Sequence, residues 1–455
     1  MRARLSNPRR YENYISDQFD THTLKQAMAH NTAPDAFAAS ENERSGGTPP
    51  VSGLVSKGQT TGTGTETSDV SVTFAGPGSV GGIVRKPVIA IVSGTRPEII
   101  KLAPVYHELV AQGWADARWI HTGQHAEMAE QILRCFDVEP DIRLKREGSS
   151  LQQFSADCRS QLDVVMASQA FDMCIVQGDT ESAFLGALAA FYKQVPIAHV
   201  EAGLRTYNLS RPFPEEGLRQ MISRLARHHF APTQRACNAL RSEGIAQDMV
   251  QLTGNTVVDA QHWAVNHKGI KREVQGRGHI LVTVHRREHW GFEMEEIFHA
   301  VAEIAREHTT AEIVFPVHLN PVVQTAAQSI LSGIGNVKLL PPMNYLEMQQ
   351  ALVNASLVLT DSGGLQEEAP TFGVPVLVLR EETERPEAVE AGCAAVVGPG
   401  RAAIVREVRR LMHDELAYRR MQQQTNPYGD GQASRRIVET LAAHLLGTVP
   451  VAAVA

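Results

Sequence analysis

The stretch VIAIVSGTRPEIIKLAPVYHEL, residues 88–109, decides the fold. An unbroken apolar run, Val88 to Val92, stops at a Ser-Gly-Thr-Arg-Pro turn signal, and Ile99, Leu102, Ala103, Tyr106 and Leu109 then fall on one face of a helical repeat. That is a strand followed by an amphipathic helix, with Pro97 at the first helical position. The alternation returns in ARWIHTG (117–123) then MAEQILRCF, in MCIVQGD (173–179) then SAFLGALAAFY, in PIAHVEAG (196–203) then a helix opened by Pro214, and in VQLTGN (250–255) then TVVDAQHWAV. Because the runs are continuous and not alternating, they predict parallel strands covered on both faces. A polar, Gly-containing stretch, HKGIKREVQGRG (267–278), suits a hinge. A second series follows it: HILVTVH, AEIVFPVH, VKLLPP, LVLTD, VPVLVLR and CAAVVG. Two consecutive doubly wound, Rossmann-like parallel α/β sheets are the simplest architecture.

Working outward, residues 86–265 form the expected first domain, 266–430 the second, and 431–455 a helix returning across both, with a tail. Residues 1–85 read as a low-complexity, disordered extension, since Gly, Ser, Thr and Pro crowd the span from Asn42 to Gly82 and apolar residues are sparse. One short helix, YISDQFDTHTLKQAMAH, is expected before that span, with no function assigned. At 455 residues and 43% hydrophobic, the chain has enough material for two cores. Its 43 Lys+Arg against 50 Asp+Glu, a formal charge of -7, supply no broad basic field, so neither nucleic acid nor a membrane is an expected partner. Cys135, Cys158, Cys174, Cys237 and Cys393 are odd in number and without CxxC spacing, which points to a reducing compartment and no zinc. A cytoplasmic setting follows, as no apolar stretch reaches the roughly 20 residues of a membrane span.

In doubly wound sheets ligands bind beyond the carboxyl ends of the strands, and there this chain places clusters of ionisable residues. Arg96 at a strand-to-helix turn, and Lys101 one turn on, suit phosphate oxygens. Ser362-Gly363-Gly364 lets a diphosphate approach backbone N–H groups, and Glu367 and Glu368 on the same helix suit ribose hydroxyls. There is no GxxxxGK[ST], so a Walker-type triphosphatase is not expected. Asp179 has the alternative of a helix cap, and Glu201 that of a plain ion pair with Arg205.

The segments GTRPEIIK, VQGDT, HVEAGLRT, PEE..R, HFAPT, TGNTVVDA, HRRE, PVHLNP, TDSGGLQEEAP, TERPEA and NPYGDG.A..RI resemble the non-hydrolysing UDP-N-acetylglucosamine 2-epimerases, in order and spacing from Lys86 to Leu446. That resemblance implies a GT-B-like fold, a cytoplasmic homodimer, and a UDP-N-acetylhexosamine held by the second domain with its sugar against the first. It implies UDP contacts at Arg96, Lys101, His285, Ser362, Gly363, Gly364, Glu368 and Arg385, and places Asp179, Glu201, Glu215 and Arg219 by the sugar. Asp179, Glu201, Glu215 and His285 are the expected catalytic groups, with no metal and no cofactor. The chemistry agrees: the C2 hydrogen is not alpha to a carbonyl, so UDP must leave C1 before the C2 proton is removable, and a glycal forms. Returning the proton from the other face needs several carboxylates, and the departing diphosphate needs cations. A hydrolysing epimerase, a GT-B glycosyltransferase and a UDP-sugar-binding protein impaired in turnover are the alternatives.

The sequence departs from the family at Gly217-Leu218, Ser223, Arg211, Glu181 and His289. Gln124 and His125 match an activating second UDP-sugar site of some relatives, but Gly148-Ser149 stand where its Arg-Gln element is expected. Substrate activation is therefore predicted to be weak or absent, with initial rates that rise hyperbolically; a sigmoidal rate curve contradicts this.

Overall fold

The computed structural model describes residues 85–146, 150–274, 276–285, 291–422 and 424–447. The expected N-terminal extension and its short helix, Gly148-Ser149 and His289 lie outside the described residues. The first sheet holds β1 (Val88–Ser93), β2 (Asp116–His121), β3 (Ile142–Arg143), β4 (Met173–Gln177), β5 (Ile197–Val200), β6 (His228–Ala231) and β7 (Val250–Leu252). Their order is β3-β2-β1-β4-β5-β6-β7. The second holds β8 (His279–Thr283), β9 (Glu312–Pro316), β10 (Val337–Leu340), β11 (Leu357–Thr360), β12 (Val376–Val378) and β13 (Ala394–Val396), in the order β10-β9-β8-β11-β12-β13. Every pairing is parallel.

The continuous apolar runs are explained by burial on two faces. Ile89 and Ile91 of β1 enter a core with the helices Arg96–Gln112 and Thr256–Lys268, while Ala90 and Val92 enter another with Leu151–Ser168 and Glu181–Tyr192. In the second sheet Leu357, Leu359 and Leu377 pack with Phe298 and Phe315, while Val358, Val376 and Val378 line the opposite face. Two strands lie outside the apolar runs of the sequence. β3 is only two residues long, and β6 opens with His228 and His229, which break the apolar pattern. His229 is nevertheless fully buried, its ring nitrogens within bonding distance of the Ser223 and Met249 carbonyls.

The helix Ala433–Leu446 follows the second sheet in sequence but buries Ile437, Val438 and Leu441 with Ile99, Leu102 and Val257 in the first. Its first turn is fixed by Asp259, whose carboxylate accepts from the Ala433 and Ser434 N–H groups at 3.2 and 2.7 Å. At Gly254 the backbone is left-handed (φ 90°), and an added Cβ would come within 3.2 Å of the Gly429 Cα, so the chain crosses itself where only glycine fits. Among the described residues no helix is long and apolar enough to cross a membrane. Ile437→Ala is predicted to cost about 2–5 kcal/mol in denaturant unfolding, as expected for a fully buried isoleucine; a loss under about 0.5 kcal/mol contradicts the docking.

Candidate active site

Each strand order reverses once, between β1 and β4 and between β8 and β11, and a doubly wound sheet offers its crevice there. The chain leaves these four strands through Gly94-Thr95-Arg96, Gly178-Asp179, Val284-His285 and Asp361-Ser362.

On the first sheet, Glu98 is fully buried and clips two of these turns together. One oxygen accepts from the Gly94 and Thr95 N–H groups at 3.1 and 2.7 Å, and the other from the Thr180 hydroxyl at 2.8 Å. Burial pushes its carboxyl up to about 7, the hydrogen bonds only partly offsetting the lost hydration. Gly94 permits the close approach, since a Cβ there would lie 2.1 Å from the Ser182 and Thr122 hydroxyls. Asp179 does not cap the next helix; Thr180 does, accepting from the Ala183 N–H. Asp179 instead pairs with Arg219 at 2.6 Å. Burial raises its pKa, Arg219 opposes the rise, and Glu201 and Glu215 add to it, so the three carboxylates share one electrostatic neighbourhood.

Glu201, directly after β5, is buried and its backbone is left-handed (φ 60°), a strained state for a residue with a side chain. Its carboxylate accepts from Lys101 and Gln177 and, at 3.0 Å, from Asn255. The same Asn255 amide donates at 3.1 Å to Glu367, which pairs with Arg385 and lies 3.9 Å from Lys101. Two cations and two carboxylates thus meet, drawn from both sheets. Burial opposes each charge, yet the partners prevail: Glu201 is held below the usual carboxylate range, chiefly by Lys101, and Lys101 and Arg385 are raised by Glu201 and Glu367.

On the second sheet the His285 Nδ1 lies 2.7 Å from Asp361, whose carboxylate also accepts from the His285 N–H at 3.0 and 3.2 Å. A buried carboxylate at Nδ1 favours a proton there and leaves Nε2 to act on a ligand. Ser362 precedes the short helix Gly363–Glu368. Glu368 accepts from Gln349 at 2.7 Å, and burial and the Glu367 charge push it up to about 7.

The model for the family described as UDP-N-acetylglucosamine 2-epimerase matches residues 107–442. The chain is 43% identical over 370 residues to the UDP-N-acetylglucosamine 2-epimerase of Yersinia pestis, covering 78% of this chain and 98% of that one. It belongs to the UDP-N-acetylglucosamine 2-epimerase family. The Bacillus subtilis (strain 168) enzyme of that name is 42% identical over 366 residues, covering 79% of this chain and 96% of its own length. Among solved structures, that of UDP-GlcNAc 2-epimerase from Neisseria meningitidis bound to UDP-GlcNAc is 41% identical, with a TM-score of 0.71 over 78% of this chain and 99% of that one. The two-sheet, GT-B-like fold anticipated above is thereby that of the epimerase family.

Within this epimerase-family chain, several residues sit differently from the sequence reading. Arg205 pairs with Glu243 at 2.7 Å and not with Glu201. Lys101 lies against Glu201 and Glu367, on the carboxylate side of the site. Arg96 is exposed at its helix start, near enough to Glu368 to favour its charge. Of the two adjacent glutamates, Glu367 joins the central cluster and Glu368 does not. The departures are partly structural: the Ser223 hydroxyl accepts from Arg205 at 2.8 Å, Glu181 accepts from Ser155 at 2.5 Å, and Leu218 is core. Gln177, Asn255, Glu367 and Asp361 all stand in quoted strand-end segments or on the helix that follows one, and that position was the available signal.

Glu98 yields a pH prediction. Its folded pKa lies above its ordinary value of 4.5, so its contribution is complete below pH 4.5 and is lost as pH rises to about 7. By about 1.4 kcal/mol per pKa unit, that loss is on the order of 3 kcal/mol. Glu98→Gln should flatten this decline in unfolding free energy between pH 4.5 and 7; an unchanged slope contradicts it.

Proposed function

We propose that this chain reversibly epimerises UDP-GlcNAc, or a close UDP-N-acetylhexosamine, at C2 without hydrolysis. The reading is carried by one observation: Asp179 and Glu201 stand beyond neighbouring strands in one electrostatic neighbourhood, the first paired with Arg219 at 2.6 Å and the second with Lys101. Carboxylates so grouped and differently paired suit the acid and base steps of a C2 epimerisation.

In the proposed sequence the C1–O bond breaks with its electron pair going to the diphosphate, and C1 becomes cationic. A carboxylate takes the C2 proton, the C2–H electrons form the C1=C2 bond, and a glycal stays beside UDP. A carboxyl on the other face returns a proton to C2, and UDP adds back to C1. Asp179, Glu201 and Glu215 are the proton-transfer groups of this reading, with Arg219 setting the orientation of Asp179. Arg96, Arg385 and His285 serve the diphosphate with Ser362, Gly363 and Gly364, and Glu368 serves the ribose. Lys101 keeps Glu201 ionised. The same reading carries a homodimer in the cytoplasm, and a cleft that closes so that the glycal is retained.

The test is incubation of the pure protein with UDP-GlcNAc in deuterated water, followed at C2 by NMR. Deuterium in both epimers with UDP attached is expected, and Asp179→Asn or Glu201→Gln should slow exchange by about 100-fold or more. Free N-acetylmannosamine would assign hydrolysis, UDP release only with an acceptor a glycosyltransferase, and UDP binding without exchange a sensor.

A further inference from the structure

Asn255 follows β7 and is buried. Its Oδ1 accepts from the Val257 N–H at 3.0 Å and so caps the helix Thr256–Lys268. That bond fixes which way the amide faces, and Nδ2 then donates to Glu201 at 3.0 Å and to Glu367 at 3.1 Å. A cap alone requires only an acceptor, which Ser, Thr or Asp also supplies. Asparagine is required when one small planar group must offer an acceptor and two protons at once. The two carboxylates it bridges belong to different sheets, Glu201 behind β5 and Glu367 behind β11.

We propose that Asn255 is a positioning residue that locks Glu201 of the first sheet to the Glu367–Arg385 pair of the second, coupling the setting of Glu201 to the approach of the second sheet. Its effect on turnover rests on the epimerase reading; the lock itself does not. The charged groups around it are balanced: Lys101 from the Arg96–Gln112 helix and Arg385 ahead of the Pro386–Glu390 helix, against Glu201 and Glu367. Tyr428, whose carbonyl accepts from the Asn255 N–H at 2.5 Å, completes the surroundings. Asp259, one turn along the same helix, is engaged by the Ala433 and Ser434 N–H groups.

Asn255→Asp keeps the cap and sets a third carboxylate against two cations, whereas Asn255→Ser keeps the cap and removes both donated bonds. For Asn255→Asp, C2 exchange is expected to lose about 10-fold or more in kcat at pH 8 with KM changed by less than about 3-fold. Part of that loss should return at pH 6, where the introduced carboxyl, once protonated, regains one donor. Asn255→Ser should lose kcat at both pH values. Independently of turnover, small-angle scattering of the ligand-free protein should show Asn255→Asp more expanded at pH 8 than at pH 6, with the unsubstituted chain equal at both. The lock is overturned if both variants exchange within about 2-fold of the unsubstituted chain and scatter identically, or if both losses keep its pH profile and follow the melting temperature, which assigns Asn255 to the cap alone. Scattering as expected with no exchange by the unsubstituted chain would sustain the lock and remove the epimerase reading.

Discussion

The buried contact between Lys101 and Glu201 is what the rest of the site depends on. Taking either charge out of water alone costs several kcal/mol, and only a close, hydrogen-bonded partner offsets that cost. The fold supplies the partner by ending β1 in a turn that starts the Lys101 helix and ending β5 in the left-handed residue Glu201. Gln177 and Asn255 then satisfy the remaining lone pairs. Glu367 and Arg385 extend the neutral cluster into the second sheet, so the two halves of the chain share one electrostatic unit.

Around that unit, the parts differ in how firmly they are held. Glu98 and the Thr180 cap tie the Asp179 turn to the helix bearing Arg96 and Lys101, all within one sheet. Between the sheets, Thr233 donates to Glu387 at 2.9 Å, while Arg235 pairs with Glu390 at 2.5 Å where both side chains are more than half exposed. Exposed pairs are worth about 0–1 kcal/mol, so this rim adds little beside the buried cluster. Buried bonds also join the two halves away from Glu201: the Gln261 amide donates to Gln349 at 2.8 Å and to the Glu368 carbonyl at 3.1 Å.

The fold was largely legible, because strands buried on both faces carry long apolar runs, and eleven of the thirteen described strands match the runs read from the sequence. β6 was hidden because His228 and His229 break its apolar pattern, and their accommodation by the Ser223 and Met249 carbonyls and by the Phe230 and His444 rings is not readable from the run itself. Strand ends located the site, but the partner of each group was not readable. Glu367 and Glu368 are adjacent on one helix and point about 100° apart, a difference that composition does not carry. Lys101 suits a phosphate by charge alone, and the left-handed turn at Glu201 and the helix bearing Glu367 bring carboxylates to it. Asn255 reads as an ordinary helix cap until Glu201 and Glu367 are seen on either side.

In the proposed function, carboxylates of the first sheet face a diphosphate site of the second across one crevice. A crystal structure of the chain with UDP tests it most directly. The diphosphate should lie beyond β8 and β11, in reach of Arg385 and His285, with Asp179 and Glu201 lining the open side next to its terminal oxygen. UDP bound elsewhere, or Asp179 and Glu201 turned to solvent in that complex, would contradict the account.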